Sequence, residues 1–144
     1  MDFISHSAAE TLALGKMLAS GLQPGSVILA YGDLGAGKTA FAKGVALGLG
    51  IKQIVNSPTF NIMKVYQGPE LKLYHIDAYR LEDPKAVSDI GFDEAIGNPD
   101  GICYIEWPDY IASWFAEEEN IISVRIVQLG EKTRKISIAE GRKA

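Results

Sequence analysis

Val27-Ile28-Leu29-Ala30-Tyr31-Gly32-Asp33-Leu34-Gly35-Ala36-Gly37-Lys38-Thr39 is the stretch from which the rest of the chain is read. Its first five residues form a nearly unbroken apolar run, as expected of a strand buried on both faces. The next eight fit G-x-x-x-x-G-K-[ST], the phosphate-loop pattern. Residues 39–49 are rich in Ala and Leu and closed by Gly50, which predicts a helix opening where the loop ends. Glycines let backbone N–H groups turn inward around phosphates, and the helix N-terminus adds partial positive charge. In such a loop Lys38 reaches the β- and γ-phosphates and the Thr39 hydroxyl binds Mg²⁺. Asp33, Leu34, Gly35, Ala36, Gly37, Lys38, Thr39 and Ala40 are therefore expected to contact ATP or ADP. The bland alternative is a glycine-rich turn with a solvated lysine.

A phosphate loop also needs acids at neighbouring strand ends, to hold Mg²⁺ and orient the attacking water. Asp77 follows Leu73-Tyr74-His75-Ile76, and Glu106 follows Ile102-Cys103-Tyr104-Ile105. With Lys38 these are the expected catalytic residues, and with Thr39 the expected metal-associated ones. The spacing leaves open which acid contacts the metal and which orients water. Simpler readings are a solvent-exposed acid for Glu106 and, for Asp77, a side chain bonded to a neighbouring N–H or to Arg80. Asn56-Ser57-Pro58-Thr59 lies where switch-like segments of nucleotide hydrolases lie, and it equally fits an ordinary turn. His75 is expected to be a hydrogen-bonded core histidine and Cys103 a packing residue. Trp107 is read as hydrophobic cover beside the acid.

Elsewhere, Ser7-Ala8-Ala9-Glu10 is an S-x-x-E capping box ahead of an amphipathic helix that ends at Gly21 and Pro24-Gly25. Runs 60–66 and 71–76 around Gln67-Gly68-Pro69-Glu70 predict an antiparallel hairpin, and 121–129 with 134–139 around Gly130-Glu131 predict a closing one. Asp83-Pro84 starts a short helix through Ile90, and residues 92–96 make another turn of helix. The turn cluster Asn98-Pro99-Asp100-Gly101 precedes a second apolar strand, the natural neighbour of the first. Glu117-Glu118-Glu119 is read as solvated and residues 141–144 as a frayed tail. The fold class expected is α/β: a three-layer P-loop NTPase fold, with a mainly parallel central sheet and added antiparallel hairpins.

At 144 residues the chain is expected to form a single domain, 1–144. Fourteen Lys and Arg against eighteen Asp and Glu give a net charge of −4, which argues against stand-alone nucleic-acid binding. Of the arginines Arg80, Arg125, Arg134 and Arg142, only Arg80 lies mid-chain, so no obvious arginine finger is expected near the loop. Cys103 is the only cysteine, which excludes an intrachain disulfide and a multi-cysteine zinc site. No apolar stretch is long enough to cross a bilayer, and no basic region with a hydrophobic core opens the chain. A cytoplasmic location, away from membranes, is expected.

The phosphate loop, Ser57-Pro58-Thr59-Phe60, Tyr74-His75-Ile76-Asp77-Ala78-Tyr79-Arg80-Leu81 and Glu106-Trp107-Pro108 together closely resemble the TsaE family, formerly called YjeE. The resemblance covers nearly the whole chain. It implies a small P-loop ATPase that assists threonylcarbamoylation of the adenosine beside the anticodon in tRNAs reading codons that start with A. It further implies that a TsaD–TsaB heterodimer performs the transfer and TsaC makes the threonylcarbamoyl-adenylate donor. ATP binding would favour assembly and hydrolysis would reset the transferase, with tRNA contacted only through the complex. By the same resemblance Lys38 binds phosphate, Thr39 and Asp77 associate with Mg²⁺, and Glu106 positions metal or water, with Trp107 as the family tryptophan. Two positions depart from the pattern: Ala40, where a second hydroxyl residue often stands, and Asp109, where Glu or Gln is common.

Three other functions compete. A small-molecule kinase needs a substrate pocket and an arginine-bearing lid, for which the chain has little length left. A GTP switch would carry an Asn-Lys-x-Asp segment, and no Asn-Lys dipeptide occurs. A nucleotide-binding scaffold without turnover is compatible with both loop and charge.

Overall fold

The computed structural model describes residues 1–33, 35–56, 58, 63–79, 91–109, 111 and 119–141. Its elements run β1 (Asp2–Ser5), α1 (Ala8–Ala19), β2 (Val27–Tyr31), α2 (Lys38–Gly48), β3 (Met63–Gln67), β4 (Lys72–Asp77), α3 (Phe92–Ala95), β5 (Gly101–Glu106), β6 (Ile121–Gln128) and β7 (Arg134–Glu140). The strands form one seven-stranded sheet in the order β1-β7-β6-β2-β5-β4-β3. The pairs β6–β2, β2–β5 and β5–β4 are parallel. Both hairpins, β3–β4 and β6–β7, are antiparallel and flank that parallel centre, as the sequence predicts. The proposed helix at 83–90 and the acidic run at 117–118 lie outside the described residues, as does the end of the tail.

Period-two alternation sorts each central strand between two cores. Ile28 and Ala30 of β2 and Ile102 and Tyr104 of β5 join Phe41, Ala42 and Val45 of α2. Val27, Leu29, Cys103 and Ile105 face the other side, against Ala95, Ile96 and Ile111. Cys103 is thus a packing residue, 1% exposed. The same alternation puts His75, Asp77 and Glu106 in phase with Leu73 and Tyr104, on the face that carries α2.

Ser7 caps α1 by accepting the Glu10 N–H at 3.1 Å. The returning half of the box is shifted by one residue: the Glu10 carboxylate accepts from His6 N–H at 2.6 Å. Helix α1 then packs against α2 closely enough that glycine is required at the contact. A Cβ at Gly44 would lie 2.0 Å from the Leu12 carbonyl oxygen, one at Gly15 2.3 Å from that of Phe41, and one at Gly48 2.5 Å from Ala19 Cβ.

Strand β1 was not expected from the sequence. Its four residues pair antiparallel with β7, from Asp2 opposite Ser137 to Ser5 opposite Arg134. So short a segment carries no periodic signal; its place is set by β7 and by a buried bond between the Ser5 and Thr11 hydroxyls at 2.7 Å.

Candidate active site

The loop hangs between the end of β2 and the start of α2. Gly32 has φ 155°, and a Cβ there would stand 2.8 Å from the Ile126 carbonyl oxygen, so β6 leaves room only for glycine. Gly35, at φ 79°, meets nothing within 4 Å of an added Cβ and marks the loop's open side. No side chain caps α2, whose N-cap is Gly37. The first-turn N–H groups are thus left to an anionic ligand. Leu34 lies outside the described residues, as do Ser57 and Thr59 of the switch-like segment.

Lys38 opens α2 and is 4% exposed. Its Nζ has no hydrogen-bond partner. It sits 3.5 Å from the centroid of the Trp107 ring, a cation–π contact. Burial pulls its pKa below the ordinary 10.5, and the negative charges of Glu106, Asp77 and Asp33 oppose that shift. The alternative of a solvated lysine is excluded by this burial. An orphaned ammonium beside an open glycine loop fits a phosphate ligand, whose oxygens would supply the missing acceptors.

Asp77 and Glu106 are register partners at the ends of the parallel strands β4 and β5, which brings the two candidate acids side by side. Glu106 is 4% exposed, not a solvated strand-end acid. Asp77 Oδ1 accepts the Tyr79 N–H at 3.0 Å, which meets the simpler reading of Asp77 as a side chain bonded to a neighbouring N–H. Thr39 follows Lys38 on the first turn of α2. Among the described residues no three His, Cys, Asp or Glu converge on one point. Mg²⁺ is usually held by one or two carboxylates plus phosphates and waters, a requirement this sparse donor set fits.

His75 carries more of the site than its sequence reading gave it. Fully buried, it lies 2.6 Å through Nε2 from Glu106 Oε2, while its Nδ1 has no partner. An ionised Glu106 requires Nε2 to donate, and an Nε2–H tautomer leaves only an acceptor lone pair unmatched at Nδ1 rather than a buried donor. The ring stands edge-on to Tyr104 at 5.4 Å, and the Tyr104 hydroxyl donates to the Lys38 carbonyl at 2.7 Å. Burial, and then Glu106, hold the Tyr104 phenol well above its ordinary pKa, so it remains a donor. The acid is thereby packed through two aromatic rings onto the first turn of α2. Replacing His75 by Leu leaves a buried carboxyl unpaired and is expected to cost about 1–3 kcal/mol, read as a lowered thermal midpoint.

Trp107 is more than cover. It has φ 57°, the only positive value outside glycine among the described residues. This strained backbone, of a kind found at functional sites, turns the indole over Lys38. Tyr79 supports the ring from 4.8 Å.

No arginine finger is expected near the loop from chain spacing, yet an arginine does reach the loop backbone. Arg134 donates through Nε to the Ala36 carbonyl at 2.8 Å and through Nη2 to that of Gly35 at 3.5 Å. Arg125 stacks on Tyr31 at 4.8 Å and lines, with Gly32, Asp33, Trp107 and Asp109, a cleft of about 270 Å³ beside the loop. A second cleft, of about 490 Å³, opens on the other side between Ser7, Thr11, Gly37, Ala40 and Lys132. The β6–β7 hairpin folds these arginines back over 90 residues of chain, a proximity that sequence spacing does not carry.

The parallel strands, glycine loop and paired strand-end acids define the class: an α/β protein of the P-loop NTPase fold. The family described as "Threonylcarbamoyl adenosine biosynthesis protein TsaE" matches residues 5–136. The chain belongs to the TsaE family. It is 42% identical over 139 residues to the tRNA threonylcarbamoyladenosine biosynthesis protein TsaE of Treponema pallidum, covering 96% of this chain and 100% of that one. It is 44% identical over 128 residues to the protein of that name from Bacillus subtilis, covering 89% and 78%. The crystal structure of Bacillus subtilis YdiB superposes with a TM-score of 0.80 at 36% identity, covering 98% of this chain and 86% of that one. No helix among the described residues is long and apolar enough to cross a membrane.

Proposed function

We propose that this chain is a Mg²⁺-dependent ATPase serving N6-threonylcarbamoylation of the adenosine next to the anticodon in tRNAs that read codons starting with A. In this reading it binds a TsaD–TsaB heterodimer and supports its assembly and turnover, without itself transferring the threonylcarbamoyl group. The names of its relatives support the pathway. The observation that carries the ATPase reading is the buried Lys38 ammonium, without a hydrogen-bond partner, at the mouth of the glycine loop and beside two strand-end acids. A net charge of −4 favours contact with tRNA through partners rather than directly.

In the proposed reaction a water oxygen attacks the γ-phosphorus and the bond from γ-phosphorus to the β–γ bridging oxygen breaks, so that ADP and phosphate leave with one of the water's protons kept on the phosphate and the other released to solvent. Lys38 and the first-turn N–H groups of α2 hold the β- and γ-phosphates, neutralising charge that develops on the equatorial and leaving oxygens. With Oε2 held by His75, Oε1 of Glu106 is the atom proposed to orient the water. Thr39, Asp77 and Glu106 are the residues that would hold Mg²⁺, which when bound neutralises phosphate charge. Among the described residues no arginine is available as a free finger at the loop: Arg134 is engaged by carbonyls and Arg125 by Tyr31. Hydrolysis by the chain alone is accordingly expected to be slow.

The test is ATP hydrolysis by the purified chain with Mg²⁺, alone and with purified TsaD–TsaB, Lys38→Ala serving as control. Stimulation by the heterodimer that depends on Lys38 is the expected result; equal rates with and without it would overturn the partner-gated reading. Glu106→Ala is expected to bind ATP as the wild type does while losing turnover by at least about 10²-fold, the scale on which misplacing a reacting group slows a reaction. Normal hydrolysis by that variant would remove Glu106 from the mechanism.

A further inference from the structure

We propose that Arg134 is a positioning residue for the phosphate site: its guanidinium fixes the Ala36–Gly37 peptide so that the Gly37 N–H is presented to the phosphates. The inference rests on the reading that the loop binds a nucleotide. Its starting point is a backbone group in need of a partner. Ala36 is 2% exposed, so its carbonyl is poorly placed to find water and needs a donor from the protein. Arg134 Nε supplies that donor at 2.8 Å. In a trans peptide C=O and N–H point in opposite directions, so a carbonyl tied to Arg134 directs the Gly37 N–H away from the hairpin.

That constraint matters because the next residue is glycine. A peptide flip changes ψ of the first residue and φ of the second, and Gly37, at φ 114°, tolerates either sign. Local sterics at Gly37 therefore do not hold this peptide; a bond from outside the loop does. Arg134 is suited to the task by where its other donors go. Nη1 contacts the carbonyls of Gly130, Glu131 and Thr133 at 3.2, 3.3 and 3.2 Å, which anchors the guanidinium in the β6–β7 turn. The turn is closed without it. Leu129 and Gly130 N–H both donate to the Thr133 carbonyl, and Gln128 Nε2 donates to that of Gly130 at 3.0 Å. The turn thus has its own supports, whereas the Ala36 carbonyl depends on Arg134.

The experiment measures binding of a fluorescent ADP analogue, and its displacement by ATP and by inorganic tripolyphosphate, for the wild type, Arg134→Gln, Arg134→Lys and Gln128→Ala. Arg134→Gln is expected to weaken both competitors by the same factor, about 10-fold, the scale of one lost charge-assisted hydrogen bond. Arg134→Lys keeps the charge but not the planar fork and is expected to fall between the two; it carries the comparison if Arg134→Gln does not fold. Gln128→Ala, which removes the Nε2 bond to the Gly130 carbonyl and leaves the Arg134 guanidinium in place, is expected to bind as the wild type. Wild-type affinity in Arg134→Gln, full rescue in Arg134→Lys, or equal weakening in Gln128→Ala would overturn the proposal. So would weakening confined to ATP, since tripolyphosphate lacks the nucleoside and such a result means direct contact with it. A wild-type chain that binds no nucleotide overturns the phosphate-site reading itself, and this inference with it.

Discussion

Lys38→Ala is expected to lose ATP affinity by about 10²-fold or more while unfolding at a midpoint within a few degrees of the wild type. Two opposing features of the same side chain produce this split. In the free protein the ammonium is buried without a hydrogen-bond partner, so removing it relieves a desolvated charge. What is lost is one cation–π contact with Trp107, worth about 0.5–2 kcal/mol. With nucleotide present the balance reverses, because each charge-assisted bond to phosphate contributes about 1.5–3 kcal/mol. Titration calorimetry and thermal unfolding of the same variant check both halves; a collapsed fold or retained affinity would contradict the account. The pH dependence has a defined sign. Burial lowers the folded-state pKa of Lys38 below 10.5. As pH climbs through that window the unfolded chain holds the proton longer, so stability rises with pH. The wild type is expected to show that increment and Lys38→Ala to lack it.

Gly44→Val is expected to be the most damaging single change remote from the loop. Its Cβ would lie 2.0 Å from the Leu12 carbonyl oxygen, 2.8 Å from the Leu12 carbonyl carbon and 3.0 Å from Lys16 N. All three are backbone atoms, so no side-chain rotation relieves the clash and α1 must move off α2. Overpacking a core typically costs about 1–3 kcal/mol where neighbours can adjust, and a helix displacement lies at or beyond the upper end. A loss of about 3 kcal/mol corresponds to roughly 10 °C in the unfolding midpoint for a chain of this size. Gly21→Ala is the matched control: its Cβ would meet only the Leu18 carbonyl oxygen, at 3.9 Å. Equal midpoints for the two variants would show that the helix contact yields more easily than its geometry implies.

The central strands, the loop, α2 and both hairpins were legible because each is specified locally, by an apolar run, a glycine pattern or a turn cluster. The acids were legible too, since Asp77 and Glu106 each end a readable strand and the register places them together. What escaped depends on contacts between distant segments. β1 exists because β7 offers it an edge. His75 was placed correctly in the core, but its bond to Glu106 follows from strand pairing across 31 positions. Distance along the chain says nothing of the antiparallel return on β7 that carries Arg134 to the loop. The glycines of α1 and α2 read as weak helix formers; only the interhelical distance shows what they permit.

Strand β2 has neighbours that are both late in the chain: Val27 is in register with Cys103 on one side and Ile121 on the other. During synthesis the loop is made early but cannot be held until those strands have emerged. Pairings of such sequence separation carry a large loop-closure entropy and form slowly. The helical hairpin of α1 and α2 is local by comparison and can form well before them. The surroundings of the loop are therefore complete only once β6 and the residues through 134 have been made, and a chain that had reached only α2 would carry a complete phosphate-loop motif with none of the strands that frame it.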